Sequence, residues 1–254
     1  AAAATVGTII AEGIIPAALE FMDQRCIRAV EDYCAPGYPA DAAAILICEV
    51  DGMDAEARDA AARVAAIAMD QGAVATRECA NEDERARVWS GRKAAFPAMG
   101  KLQPDMLCMD GTIPRRTLPD VLSKMTAMAE RYGLGFCNVF HAGDGNLHPL
   151  ILFDVMKAGD LEKAEAFGAE ILELCVAVGG VLTGEHGVGV EKKALMNVMF
   201  NDADLAQQER LKCAFDVGQL LNPGKVFPTL HACVEQGRMH VHGGRIAFGN
   251  LPRM

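Results

Sequence analysis

The chain has 254 residues, of which 51% are hydrophobic, and a formal net charge of −10. This amount of apolar material can fill the core of one or two domains. The acidic balance argues against a nucleic-acid partner and an anionic membrane surface, because both attract positive charge. No apolar run reaches the roughly 18 residues of a membrane span, so we expect at most peripheral membrane association.

The cysteine pattern indicates the cellular compartment of the protein. The chain has 9 cysteines, an odd number, without a C-x-x-C pair. This pattern favours reduced thiols in a cytoplasmic protein over a disulfide framework, and it argues against an iron–sulfur cluster in this chain.

The chain starts at Ala1 without an initiator Met, a basic segment or a signal-peptide cleavage site. We therefore expect it to be a piece of a longer protein.

The apolar pattern predicts alternating strands and helices. Residues 7–25 have helical spacing interrupted by Pro16, and the continuous apolar run at 43–50 indicates a buried strand. Further strands are predicted at 73–79, 106–113, 136–141, 147–153 and 181–183. Further helices are predicted at 54–71, 81–96, 117–132, 160–178, 187–198 and 203–220.

A tight hairpin in the middle of this alternation favours an α+β fold. We expect a ferredoxin-like antiparallel sheet with helices on one face, followed by a C-terminal helical segment and a coil tail. The ferredoxin-like part would span residues 1–180 and the C-terminal segment residues 181–254.

The densest chemistry lies at His141-Ala-Gly-Asp-Gly-Asn-Leu-His148. Asp144 and Gly145 between two apolar runs predict a two-residue type I′ turn. That turn would pair His141 with His148 and place their Cβ atoms roughly 4.5–5.5 Å apart, which suits two nitrogen ligands on one divalent ion. A slip by one residue would destroy the arrangement.

A third ligand is available in the glycine-rich segment Thr183-Gly-Glu-His-Gly-Val-Gly189. Glu185 with His141 and His148 makes a two-His, one-carboxylate set with open positions for a substrate. His186 beside it is a candidate general base near neutral pH. The alternative for these residues is a set of half-buried polar side chains without a metal.

The two segments together resemble the paired signatures of the FAD-linked oxidase C-terminal domain. This family includes D-lactate dehydrogenases, D-2-hydroxyglutarate dehydrogenases and the FAD-linked subunits of glycolate oxidases. The sequence is most similar to the glycolate oxidase subunits, and the resemblance covers nearly the whole chain. Its other matching stretches are 13–20, 89–96, 109–116, 222–228 and 233–242.

The resemblance implies a substrate domain that caps a flavin ring, with FAD bound mainly by an N-terminal domain that is absent from this chain. It implies a divalent metal, such as zinc, on His141, His148 and Glu185. Arg92 would bind the substrate carboxylate, and His186 would be the catalytic base. The expected cofactor contacts are Gly184 and Asn222.

The resemblance also implies a substrate class. Dicarboxylate-specific relatives have Thr, Lys and Asn at the positions of Phe96, Cys108 and Leu150. Without these polar groups, a small 2-hydroxy monocarboxylate is expected, either glycolate or D-lactate, which is oxidised to the 2-keto acid by hydride transfer to FAD. By the same resemblance, the partners would be a second flavin subunit and an iron–sulfur subunit.

Two other classes of function stay open. A metal-dependent hydrolase would use Glu185 or His186 as a base on metal-bound water, although neither H-E-x-x-H nor a second acid is evident. A non-catalytic assembly module would use the tail histidines to contact a partner subunit. Those tail histidines are His231, His240 and His242.

Overall fold

The computed structural model describes residues 1–228 and the backbone of residues 241–242 and 245–246. It divides the chain into two compact units, Ala1–His186 and Gly187–Met254. The sequence suggested a division six residues earlier, after residue 180. The side chains of the tail histidines and the matching stretch at 233–242 lie outside the described side chains.

The first unit contains a five-stranded antiparallel sheet in the order β2-β1-β4-β5-β3. The predicted α+β class is therefore confirmed. The strands are β1 (Ala18–Asp23), β2 (Ala44–Glu49), β3 (Asp105–Cys108), β4 (Gly135–His141) and β5 (Pro149–Phe153).

Two helices of the first unit begin or end at a capping residue that the sequence supplies. Asp23 starts α2, because its carboxylate accepts a hydrogen bond from the Cys26 nitrogen at 3.0 Å. Gly133, with φ of 68°, ends α6 in the left-handed conformation that glycine tolerates. The helices are α1 (Ala2–Ala11), α2 (Gln24–Cys34), α3 (Asp54–Asp70), α4 (Glu82–Lys93), α5 (Ala95–Met99), α6 (Leu118–Tyr132) and α7 (Asp160–Ala177).

Helices cover both faces of the sheet, whereas the sequence predicted helices on one face only. Met22 of β1 and Val139 of β4 pack in one core cluster with Ile27 of α2 and Met99 of α5. On the opposite face, the Phe136 ring lies 5.5 Å from the Phe167 ring of α7. The central strands are therefore buried from both sides.

The second unit contains α8 (Met196–Met199), α9 (Asp202–Phe215) and the paired strands β6 (Val241–His242) and β7 (Arg245–Ile246). Asn201 starts α9 by accepting hydrogen bonds from the backbone nitrogens of Ala203 and Asp204. The helix predicted at 187–198 is wrong over most of its length, since only a short 3-10 helix and α8 form there.

Three other predicted features of the chain are wrong. Residues 18–23 form β1 instead of a helix, because a strand buried on both faces has a continuous apolar run that also fits helical spacing. Residues 73–79 are mostly exposed and form no strand. The predicted strand at 181–183 is reduced to one bridge between Val181 and Thr112.

Seven of the described cysteines are free thiols. The free cysteines are Cys26, Cys34, Cys48, Cys79, Cys108, Cys137 and Cys175. Within the described part of the chain, no helix is both long and apolar enough to cross a membrane.

Candidate active site

The β4–β5 hairpin holds two of the predicted ligands in a register that differs from the expected one. His141 pairs with Asn146, and Asn138 pairs with Pro149, so the connecting loop has four residues, 142–145, instead of two. The predicted pairing of His141 with His148 is therefore wrong by two positions. Because side chains alternate along a strand, a shift of two positions keeps both histidines on the same face.

The register follows from what surrounds the hairpin tip. The Gly143 nitrogen donates to the Leu19 carbonyl of β1 at 3.0 Å, and the Ile113 nitrogen donates to the Gly145 carbonyl at 2.9 Å. The first bond occupies the Gly143 N–H, which a two-residue turn would have used to pair Gly143 with Asn146. A side chain at position 145 would also lie 2.3 Å from the Ile113 carbonyl oxygen, so glycine is required there.

Three imidazoles converge on one oxygen of Glu185. The Glu185 Oε1 atom lies 2.9 Å from His148 Nε2 and 3.7 Å from both His141 Nε2 and His186 Nε2. The His148 ring centroid is 5.1 Å from the centroids of both other rings. The structure thus brings together the three predicted metal ligands and the predicted base.

The hydrogen-bond partners of the two hairpin histidines leave one nitrogen of each ring facing Glu185. His141 Nδ1 lies 2.7 Å from Glu20 Oε1, and His148 Nδ1 lies 3.4 Å from the Met109 carbonyl. These partners only accept hydrogen bonds, so each ring can donate through Nδ1 when a cation takes the lone pair of its Nε2. Both Nε2 lone pairs then face the Glu185 carboxylate, and a divalent cation would satisfy this set of acceptors. The donor set therefore fits a metal.

The pKa values of the two hairpin histidines are shifted in opposite directions. The hydrogen bond with Glu20 raises the pKa of His141 against the opposing effect of burial. Burial lowers the pKa of His148, and the neighbouring charge of His141 lowers it further. His148 is therefore kept neutral, as a metal ligand must be.

Asp110 fixes the loop that carries Glu185 and His186. Its buried carboxylate accepts hydrogen bonds from the Thr183 hydroxyl at 2.6 Å and from the backbone nitrogens of Gly184, Glu185 and His186 at 3.1, 3.2 and 2.8 Å. Asp110 also belongs to a group of potential ligands, with His148, Glu185 and His186, whose ligand atoms lie within 4.8 Å of one another. Because its oxygens already accept these donors, we assign Asp110 to the loop instead of to the metal.

The two predicted cofactor contacts lie in different units. Gly184 allows close packing, since a Cβ atom there would lie 2.3 Å from Asn146 Oδ1 and 2.5 Å from Thr112 Oγ1. Asn222 lies in the second unit with a left-handed φ of 47°. A cofactor role for either residue stays a prediction.

Arg92, the predicted carboxylate anchor, is buried at the end of α4 and paired with Glu20. Its Nε and Nη2 atoms lie 2.9 and 2.8 Å from Glu20 Oε2. Burial would raise the pKa of Glu20, but the hydrogen bond from His141 and the charge of Arg92 outweigh burial and lower it. Glu20 is therefore a carboxylate that links Arg92 to His141.

Glu20 and Asp110 were not predicted as site residues, although both lie in stretches that match the family. Glu20 is an acid within the apolar run Leu19-Glu-Phe-Met22, and Asp110 follows the apolar run 106–109. An acid enclosed by a buried strand needs a partner, and this signal would have identified both.

The side chains noted for substrate choice lie on the histidine-bearing face of the sheet. Cys108 and Leu150 are ladder partners, and Leu150 is two residues from His148 on the same strand. The Phe96 ring lies 6.4 Å from the His148 ring. These three side chains, which we call the apolar wall, pack in or against the core cluster on this face of the sheet.

The fold and the histidine–carboxylate cluster define an α+β domain with a candidate metal centre on an antiparallel sheet. The chain belongs to the family described as FAD linked oxidases, C-terminal domain, whose model matches residues 1–226. This assignment agrees with the resemblance noted in the sequence.

Two similar proteins are subunits of glycolate oxidases. The chain is 52% identical to glycolate oxidase subunit GlcD of Escherichia coli, over 98% of this chain and 50% of that protein. It is 37% identical to the GlcD subunit of Bacillus subtilis, over 89% of this chain and 48% of that protein. It is 29% identical to the D-lactate dehydrogenase of Archaeoglobus fulgidus, over 87% of this chain and 48% of that protein. The chain thus spans about half the length of these relatives.

A solved structure shows the same fold. The 4-ethylphenol oxidase from Gulosibacter chungangensis, in complex with isoeugenol, matches with a TM-score of 0.54 and 15% sequence identity. The match covers 83% of this chain and 47% of that chain.

Proposed function

We propose that this chain forms the substrate side of an FAD-dependent enzyme that oxidises a small 2-hydroxy acid, glycolate or D-lactate, to the 2-keto acid. The observation that carries the proposal is the convergence of His141, His148 and His186 on Glu185 in a member of this family. Similarity to glycolate oxidase subunits and a D-lactate dehydrogenase supports the substrate class.

Arg92 would bind the substrate carboxylate. Its Nε and Nη2 atoms are held by Glu20, and Nη1 has no hydrogen-bond partner among the described residues. The guanidinium is thus fixed in one orientation with a donor left for a ligand. A fixed cation can orient the 2-hydroxy acid before the reaction.

His186 would take the hydroxyl proton of the substrate at Nε2. Its side chain is 47% exposed, so the ring can reach a ligand, and its backbone is fixed by Asp110. As the O–H proton moves to His186, the C–O bond becomes the carbonyl of the 2-keto acid. When bound, FAD would accept the hydride that leaves the α carbon.

His141, His148 and Glu185 would hold a divalent metal such as zinc. When bound, the metal would polarise the substrate hydroxyl and lower its pKa. Exposure of the Glu185 side chain, at 49%, leaves the cluster open to a ligand on one side. FAD would be bound mainly outside this chain, with Gly184 and Asn222 as the contacts that this chain adds.

Substrate choice would follow from the apolar wall of Phe96, Cys108 and Leu150. A second carboxylate against this wall would lose its water without gaining a cation, at a cost on the order of several kcal/mol. We therefore propose a monocarboxylate as the substrate.

The test is a comparison of kcat/KM for glycolate, D-lactate and D-2-hydroxyglutarate with the FAD-loaded holoenzyme. Glycolate or D-lactate should be the best substrate. D-2-hydroxyglutarate as the best substrate would show that the apolar wall does not exclude a second carboxylate. No oxidation of any of the three would overturn the proposed reaction.

Family membership favours this oxidation over the hydrolase and the assembly module. The subunit names of the relatives support assembly into a larger complex, which we propose to include a second flavin subunit and an iron–sulfur subunit. Cytoplasmic localisation stays a prediction from the composition.

A further inference from the structure

Glu20 lies on an inner strand of the sheet, between the proposed metal ligand His141 and the proposed carboxylate anchor Arg92. It is on β1, where it pairs with His141 of β4 on one side and with Ile47 of β2 on the other. The side chain is 7% exposed. Its two oxygens have separate partners, Oε1 with His141 Nδ1 and Oε2 with Arg92.

Each contact orients one group of the site. By accepting the Nδ1 proton of His141, Glu20 leaves the Nε2 lone pair on the side of Glu185. A histidine that binds a metal usually donates its other ring N–H to such a group. By holding the Nε and Nη2 atoms of Arg92, the same carboxylate fixes the plane of the guanidinium.

Stability alone does not require a charge at this position. The side chains on the same face of the sheet include Met22, Val139 and Ile47, all apolar. Replacement of a buried ion pair by packed apolar residues is often neutral or stabilising. The carboxylate therefore needs another explanation, and both of its partners belong to the candidate site.

We infer that Glu20 is a positioning residue that couples the metal ligand His141 to the carboxylate anchor Arg92. This inference rests on the proposed function, because it takes the roles of both partners from it. One carboxylate shared by two sites makes their binding energies interdependent. Metal binding should then alter substrate affinity by the same factor by which the substrate alters metal affinity.

The test uses Glu20→Gln in the FAD-loaded holoenzyme. An amide can accept a hydrogen bond through one oxygen only, so its NH₂ group must face either His141 or Arg92. We expect Zn²⁺ affinity, measured by competition with a chelating dye, to fall about 10- to 100-fold. At saturating Zn²⁺, KM for the 2-hydroxy acid should rise about 10-fold, with a much smaller change in kcat.

Glu49→Gln is the matched control. Glu49 lies on the neighbouring strand β2, and its carboxylate also binds an arginine and a ring N–H, those of Arg85 and Trp89. Among the described residues, its hydrogen bonds and ion pairs are with Arg85 and Trp89 and with none of the proposed metal or substrate groups. The control should leave Zn²⁺ affinity and KM unchanged, which separates an effect of the site from a general effect of losing a paired carboxylate.

The outcomes separate this inference from the proposed function. A change in only one of the two quantities, or in neither, would overturn the coupling and leave the proposed function intact. A wild-type holoenzyme that binds no Zn²⁺ would overturn both the metal centre and the coupling. If Glu20→Gln does not fold, Glu20→Asp replaces it, since aspartate is too short to reach both partners and should weaken both affinities.

Discussion

The Asp110 carboxylate and the backbone nitrogen of His186 are 2.8 Å apart, and this hydrogen bond joins a buried acid after β3 to the residue proposed as the base. The same carboxylate accepts a hydrogen bond from the backbone nitrogen of Glu185. The proposed base and one proposed ligand are thus held by an acid that was not expected in the site. Their positions depend on β3 as much as on their own loop.

Asp110→Asn should lower activity more than it lowers stability. The asparagine side chain has an NH₂ group where the aspartate has an accepting oxygen, and this group faces the donors of residues 183–186. At least one hydrogen bond is therefore lost, at a cost of about 1–3 kcal/mol. Displacement of Glu185 and His186 should reduce kcat/KM about 10-fold or more. Steady-state kinetics and thermal unfolding of the holoenzyme measure the two effects.

The control is Asp105→Asn at the start of the same strand. Asp105 accepts a hydrogen bond from the Val155 nitrogen at 2.8 Å and pairs with Phe153, five residues along the chain from His148. It should keep wild-type kcat/KM. Equal losses of activity in both variants would count against a specific role for Asp110.

Glu185→Gln should weaken Zn²⁺ binding. The variant removes the charge on which the three imidazoles converge while keeping the size of the side chain. We expect Zn²⁺ affinity to fall about 10-fold or more, measured by competition titration. Glu170→Gln is the control, because Glu170 pairs with Arg131 on the surface. Unchanged affinity in Glu185→Gln would remove Glu185 from the ligand set.

Arg92→Lys should raise KM and lower kcat/KM. Lysine keeps the positive charge but lacks the fork that allows Arg92 to hold Glu20 and a substrate carboxylate together. Arg85→Lys is a control on the same helix, since Arg85 pairs with Glu49 in a similar way. Wild-type kinetics in Arg92→Lys would contradict the role of an anchor.

The fluorescence of Trp89 should titrate below pH 4.5. Trp89 is the single tryptophan of the chain, and its Nε1 donates to Glu49 Oε2 at 2.6 Å. The hydrogen bond from Arg85 lowers the pKa of Glu49 from 4.5 against a smaller effect of burial. For an acid with a lowered pKa, the stabilisation is present above the unfolded value and is lost as the pH falls through the folded pKa.

The measurement is the Trp89 emission of the 254-residue chain between neutral and acid pH, with circular dichroism recorded in parallel. The transition should precede loss of secondary structure and should be absent in Glu49→Gln. The pair is partly exposed, so its contribution to stability should be about 1 kcal/mol or less. A midpoint above pH 4.5 would contradict the direction of the pKa shift.

The sequence predicted which histidines meet but not how they are paired. The clustering of His141, His148 and Glu185 followed from spacing and resemblance. The register could not follow, because the hairpin tip bonds to Leu19 and Ile113, which are distant in the chain. A rule for isolated hairpins contains no information about such neighbours.

The acids around the site were missed for a related reason. Glu20 lies in a strand whose apolar residues also fit a helix, and only the strand assignment places Glu20 beside His141. Asp110 acquires its role from the backbone of residues 183–186, and backbone donors are not visible in a residue pattern.

The dependence of the cluster on β1 has a consequence for folding. Glu20 and His141 are 121 residues apart in the chain, and Asp110 and Glu185 are 75 residues apart. Joining such distant segments carries a loop-closure entropy that early local hairpins and helices do not bear. A peptide of residues 135–153 would contain both hairpin histidines but neither of the acids that orient the site. Zn²⁺ affinity in a refolding chain should therefore appear late, together with the closure of the central strands, after most helical signal has returned.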